Sequence, residues 1–410
     1  MRKRRLWALV TALCCLLQVT VYAGGGQILY DEESGESLQD LLDEDVASWP
    51  TAALPTEAAD LSVKAKGAVL MDQGTGQVLY EQDAHKALPI ASVTKVMTLL
   101  LTLEAIEAGK IGWADKVTCS DTAAAIGGSQ IWLEPGEIMS VEELVKAAAV
   151  VSANDACGAL AEYISGSQSA FVADMNKRAK ELGMENTQFK DCSGLDDTGR
   201  STAHDVAVMS RELMKHKDIQ KFTTIWMDSL RGGASQLVNT NKLLRHYKGA
   251  TGLKTGTTSA AGHCLSATAQ RDGTAYVAVV LGCDSTADRW AGARTLLDYG
   301  FATYATYVLP DGVPTPEPVA VKSGQRTRVA VEAQGPESLL IPKGREGDVT
   351  QSVELATDLQ APITAGQTVG VWRLKLGEEI LGEYPVRAAA DVPAATLRWA
   401  YNLLMAALLA

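Results

Sequence analysis

Three short segments in a fixed order constrain this chain more than anything else in it: Ser92-Val93-Thr94-Lys95, then Ser152-Ala153-Asn154, then Lys254-Thr255-Gly256. A serine hydroxyl is a weak nucleophile and needs a base within hydrogen-bond reach. At positions i and i+3 of a helix, Ser92 and Lys95 share a face, and a serine in the first turn also feels the positive helix end. A lysine takes up a proton only when neutral. Removal from water and a nearby second cation, for which Lys254 is the candidate, both favour that form. One S-x-x-K says little alone, since exposed helices carry such pairs by chance. This is the only one in the chain, and it follows Pro89-Ile90-Ala91 directly at an expected helix start.

Ser152-Ala153-Asn154 falls in an expected break between two helices, where polar side chains can point into a cleft. A hydroxyl there can relay a proton between Lys95 and a leaving amine, and the Asn154 amide can hold a peptide group. Taken singly, the segment would read as an ordinary helix cap. Lys254-Thr255-Gly256 lies at the edge of an expected strand. Glycine lets another backbone approach closely, and the lysine and threonine suit a carboxylate. Lys322-Ser323-Gly324 has a similar pattern but reads as a β-turn far down the chain, and is set aside for its context.

Around these segments, Gly67–Asp72 and residues 77–81 read as a hairpin about Gln73-Gly74-Thr75-Gly76. Ser92 opens a helix to about Ala108, its apolar side carrying Val96, Leu99, Leu100 and Leu103. Ser140-Val141-Glu142-Glu143 is a capping box starting a helix to Val150. Further helices are expected over 154–163 and 170–182, then a loop over 183–203. Strands at 251–256, 263–270 and 274–282, the last two joined by Arg271-Asp272-Gly273, precede a helix near 287–304. Strands at both ends with helices between predict an α+β domain, an antiparallel sheet flanked by helices. Beyond Pro310, short strands at 326–332, 338–341, 351–355, 368–374 and 380–386 read as a small β-domain.

The ends differ from this. Residues 1–23 read as a signal peptide: basic Arg2, Lys3, Arg4 and Arg5, an apolar run over 6–21, and Val21-Tyr22-Ala23 at the cleavage position. A membrane anchor is the competing reading. Residues 24–60 hold ten acidic side chains and read as a solvated linker. The tail 394–410, almost entirely apolar, is short for a span and reads as an interfacial helix with Trp399 and Tyr401 at headgroup level, the alternative being a buried terminal helix.

Without the four basic residues of the start, 33 basic side chains face 49 acidic ones, a net charge of −16. Nucleic acid is therefore no expected partner, since phosphate binding needs clustered Lys and Arg. Cys119, Cys157, Cys192, Cys264 and Cys283 are odd in number and irregularly spaced, and read as small buried hydrophobes. With no C-x-x-C, no H-E-x-x-H and five scattered histidines, no metal ligand set is visible and no cofactor is expected.

The three segments together are the signature shared by penicillin-binding proteins and class A β-lactamases. Residues 66–306 resemble the low-molecular-mass D-alanyl-D-alanine carboxypeptidases, the serine peptidases that penicillin acylates. The likeness runs through Ala91–Thr98, Ser152–Ala156, Gly194-Leu195-Asp196, Ser201-Thr202-Ala203 with Asp205, and Leu296–Phe301. It implies a β-lactamase/transpeptidase-like domain over 61–308, a spacer-like β-domain over 309–390 and a membrane-associating helix over 391–410. It further implies Ser92 as acyl-ester nucleophile, Lys95 as proton acceptor and Ser152 as proton relay. Asn154, Lys254, Thr255, Gly256 and Thr257 then bind substrate, and the backbone N–H groups of Ser92 and Thr257 form an oxyanion hole. The expected substrate is a peptidoglycan stem peptide ending in D-Ala-D-Ala, with β-lactams as acylating inhibitors, at the outer face of the cell membrane. A D,D-endopeptidase shares the same trio. A β-lactamase requires a Glu-x-x-x-Asn pattern not seen between 183 and 205, and a non-catalytic wall-binding module would not need the intact trio.

Overall fold

Why Ser92 stands where it does follows from a sheet, a buried helix and the turn between them. The computed structural model describes residues 27–29, 61–357 and 359–409. The expected signal segment lies outside these residues, as does the acidic segment except for Gln27–Leu29. Those three uncharged residues form a strand that pairs in parallel with Ser235–Leu237, where a linker without structure was expected. The acids around them do not prevent this, because the pairing groups are backbone.

The chain divides into two compact units, Met1–Phe301 and Ala302–Ala410. In the first, β1 (Gly67–Asp72), β2 (Val78–Gln82), β3 (Ala250–Thr258), β4 (Gly262–Arg271) and β5 (Thr274–Cys283) form one antiparallel sheet in the order β2-β1-β5-β4-β3. Central β5 is apolar on both faces and buried along nearly its whole length, whereas β3 is an edge strand with a row of backbone groups left outside the ladder. The β4–β5 turn is Asp272-Gly273, with φ of 48° and 83°, the two-residue hairpin geometry for which Asp-Gly is suited.

The longer helices here are α1 (Lys95–Glu107), α2 (Val141–Val150), α3 (Asn154–Ser165), α4 (Gln168–Glu181), α5 (Ala203–Lys215) and α6 (Thr286–Thr303). The expected capping box is present: Ser140 Oγ accepts from the Glu143 N–H, and Glu143 accepts from the Ser140 N–H. Helix α1 is buried on more than one side. It contacts α2, α3, α4, α5 and β3, and Thr98 and Thr102 are as buried as Leu99 and Leu100. The threonines tolerate this because their hydroxyls donate to the carbonyls of Cys192 and Thr98, at 2.6 and 2.8 Å.

Two departures from the sequence reading bear on the site. Ser92 does not lie in the α-helix but in a 3-10 turn, Ala91–Thr94, that feeds it. Ala91 has a φ of 47°, a left-handed conformation that reverses the chain just before the serine. Helix α5 and the strand pair Met227–Leu230 with Ser235–Val238 lie where no element was expected.

Tyr304–Val308 pairs with Ser338–Pro342 within the second unit. A four-stranded sheet runs in the order Val331–Ala333, Glu379–Ala388, Thr368–Leu376, Val349–Leu355 over a core containing Trp372, Leu374 and Val386. Ser323 of the set-aside Lys322-Ser323-Gly324 follows the strand Val319–Lys322 in a left-handed turn. The terminal helix α7 is Leu397–Leu409, with its apolar side chains exposed.

Candidate active site

The first group at the site is set by the 3-10 turn. Because i and i+3 eclipse in this winding, Lys95 Nζ comes to 2.8 Å from Ser92 Oγ. Both residues are buried, Ser92 at 2% exposure and Lys95 at 0%. A second contact runs from Lys95 Nζ to the carbonyl of Ser193, at 2.9 Å. That acceptor comes from the long loop between α4 and α5, and nothing in the sequence reading pointed to it.

The second group sits in the break between α2 and α3. Helix α2 ends at Val150 with Val151 as its cap, Ser152 takes a φ of 63°, and Ala153 caps α3, which begins at Asn154. A serine held in the left-handed region costs of order 1–3 kcal/mol and persists only where its surroundings impose it. Ser152 Oγ is fully buried with no partner, and so is Asn154 Oδ1. Two unsatisfied polar atoms two residues apart in the chain mark a place where an incoming polar group would be welcome. The Asn154 amide is fixed from its other side, Nδ2 donating to Gly127 O at 2.8 Å while its backbone N–H meets Ser129 O at 2.7 Å.

Asp155 anchors the same wall. It accepts from the N–H groups of Ile131, Leu133 and Ala156. Burial pushes its carboxyl upward, against the pull of those donors. Trp132 lies between the two anchored residues, with a φ of 50° and 42% exposure.

The third group is carried on β3, and its glycine is there for space. A Cβ on Gly256 would lie 2.8 Å from Ile90 O and 2.9 Å from the nitrogens of Ser92 and Val93, so the strand passes directly against the nucleophile's turn. Lys254 shares the Gly256 face by the two-residue period. It is buried, and its Nζ donates to Thr255 O at 3.0 Å. Both lysines lie near α3, since the buried thiol of Cys157 senses their charges. Thr255 and Thr257 point to the other face, Thr255 Oγ1 to Thr240 Oγ1 at 2.7 Å and Thr257 Oγ1 accepting from Arg289 at 3.2 Å. Thr240 and Arg289 were not singled out from sequence, and no local pattern could have found them.

The five described cysteines are buried and in no disulfide. Ser201-Thr202-Ala203 with Asp205 turns out to be a helix cap: Thr202 Oγ1 accepts from the Asp205 N–H at 3.0 Å, and Asp205 holds Thr187 and the Asn186 N–H.

The family profile described as D-alanyl-D-alanine carboxypeptidase matches residues 54–285, and that of the penicillin-binding protein 5 C-terminal domain matches residues 308–394. The D-alanyl-D-alanine carboxypeptidase DacF of Bacillus subtilis is 43% identical over 339 residues, covering 82% of this chain and 87% of the relative. Among solved structures, penicillin-binding protein 5 from Haemophilus influenzae superposes with a TM-score of 0.75 at 30% identity, over 83% of this chain and all of that one. The ampicillin-bound penicillin-binding protein D2 of Listeria monocytogenes matches 59% of this chain and 99% of its own, at 34% identity and a TM-score of 0.51.

Proposed function

Because this chain belongs to the D-alanyl-D-alanine carboxypeptidase family, we propose that it removes the terminal D-alanine from peptidoglycan stem peptides through an acyl-enzyme on Ser92. The observation that carries this is the buried contact of Lys95 Nζ with Ser92 Oγ, at 2.8 Å, with Gly256 of β3 packed against the turn that bears Ser92. Neutral Lys95 takes the Ser92 proton as Oγ attacks the carbonyl of the penultimate D-alanine. The tetrahedral oxyanion is held by the backbone N–H groups of Ser92 and Thr257. As the C–N bond breaks, the departing amine receives a proton through Ser152, and water then cleaves the ester. Asn154 holds the substrate peptide, and Lys254 with the Thr255-Gly256-Thr257 strand receives its C-terminal end. A β-lactam enters the same path and stops at the ester.

The assay is release of D-alanine from a diacylated Lys-D-Ala-D-Ala peptide with and without penicillin. Release that penicillin abolishes is expected, and no release by the folded protein in the absence of penicillin would contradict the reading. A D,D-endopeptidase would instead cleave cross-linked dimers faster than this tripeptide.

Export and membrane attachment belong to the same proposal. The signal-like segment 1–23 directs the enzyme across the membrane, where its substrate lies. Helix α7 has 13 residues, about 20 Å against the roughly 30 Å of a bilayer core. Among the described residues no helix is long and apolar enough to cross. Its exposed Leu397, Tyr401, Leu404 and Leu408 suit a helix lying in the headgroup plane. Removal of residues 394–410 is expected to release the protein from anionic lipid vesicles in co-sedimentation, and unchanged binding would contradict this.

A further inference from the structure

We propose that Asp191 is a positioning residue for the proton transfer between Ser92 and Lys95, acting through the Ser193–Gly194 peptide unit; this rests on Lys95 being the proton acceptor. A neutral amine has two N–H bonds and one lone pair in tetrahedral array. To take the Ser92 proton, the lone pair must aim at Ser92 Oγ, and both N–H bonds must point elsewhere. The Ser193 carbonyl, 2.9 Å from Lys95 Nζ, accepts one of them and so restricts the rotation of the amine. Where that carbonyl stands decides where the lone pair points.

The carbonyl lies outside any helix or strand, so side chains must hold it. The Ser193 carbonyl and the Gly194 N–H belong to one rigid trans peptide plane, and they point in opposite directions. The N–H end is bonded to Asp191 Oδ1 while the C=O end faces Lys95. Asp191 Oδ1 also accepts from the Ser193 N–H at 2.6 Å and its hydroxyl at 3.2 Å, and Oδ2 accepts from the Asp196 N–H at 2.5 Å. The carboxylate has no ion-pair partner among the described residues, so its acceptor capacity is committed to this loop. One residue earlier, the Cys192 carbonyl is tied to Thr98, one turn beyond Lys95. Gly194 has a φ of 84°, and a Cβ there would overlap the Ala91 carbonyl. The peptide plane is thus wedged against the turn that carries Ser92, with Asp191 as its outer clamp.

The test is the acylation of Ser92 by a fluorescent penicillin, resolved into a maximal rate constant and a half-saturating concentration. Asp191→Ala is expected to lower the rate constant at least about tenfold, with the half-saturating concentration within about twofold and the number of labelled sites at completion unchanged. Asp191→Asn, which keeps one oxygen for the Ser193 and Gly194 donors, is expected to restore the rate to within about threefold of wild type. A rate constant for Asp191→Ala within twofold of wild type overturns the proposal, as does an Asp191→Asn variant no better than Ala. Should Asp191→Ala not fold, Asp191→Glu, which keeps the charge but shifts the oxygens, must show the same loss; full acylation there also overturns it. Lys95→Ala is the control. If it acylates normally, the parent reading of Lys95 fails. If it is inert while Asp191→Ala acylates normally, only the role of Asp191 fails.

Discussion

At the scale of single residues, the site depends on closeness of a kind that tolerates little change. Gly256→Ala would put a methyl within 3 Å of the backbone of Ile90, Ser92 and Val93. Relief requires moving either β3 or the nucleophile's turn, so we expect a stability loss of about 1–3 kcal/mol and D-alanine release reduced at least about tenfold. Denaturant unfolding and kcat of the same preparation check both. The Cys157 and Cys264 thiols are pushed up to about 11 by burial, against an ordinary value near 9. In the unfolded chain these thiols ionise first as pH rises, so the folded state binds more protons between about pH 9 and 11. Stability is then full below pH 9 and falls through that window, by up to about 1.4 kcal/mol per pH unit per thiol. Urea midpoints at pH 8, 9 and 10 should decline, and a flat series would contradict burial of these thiols. The serines and lysines of the trio were legible in sequence because their chemistry needs those residue types at fixed local spacing. The Ser193 carbonyl, Thr240 and Arg289 were not, since each reaches the site only by tertiary contact.

Elements were legible where a local signal coincided with packing. The capping box of α2 is one case, and Ser140→Ala should cost about 1 kcal/mol with little change in kcat. The hairpin turns are another, Asp272-Gly273 fixing the β4–β5 connection. Helix α1 shows the limit of reading one face at a time. Its apolar residues predicted a helix with one buried side, whereas the threonines between them are buried too, against the carbonyls of a distant loop. Leu99→Ala is therefore expected to cost about 2–5 kcal/mol, measurable as a lowered urea midpoint at unchanged m-value. The start of α1 shifted because a left-handed Ala91 cannot be seen from residue type: a positive φ is uncommon outside glycine, and the close approach of Gly194 to the Ala91 carbonyl is a tertiary contact. Helix α5 was not legible although Thr202 caps it through the Asp205 N–H, because Thr202 lies inside a stretch rich in Asp, Gly, Ser and Thr, 183–203, that reads as loop.

For the whole molecule, the trio, Asp191 and the Ser193 carbonyl all fall within Met1–Phe301, so the chemistry belongs to the first unit. A chain ending after Thr303 is expected to keep penicillin labelling within about threefold of full length, and its complete loss would show that the chemistry needs the second unit. The role of Ser92 is tested by digesting the penicillin-treated protein and locating the adduct by mass spectrometry. One penicilloyl group on Ser92 is expected, none on Ser152, and neither adduct nor D-alanine release in Ser92→Ala. An adduct on another residue, or continued D-alanine release by Ser92→Ala, would contradict that role.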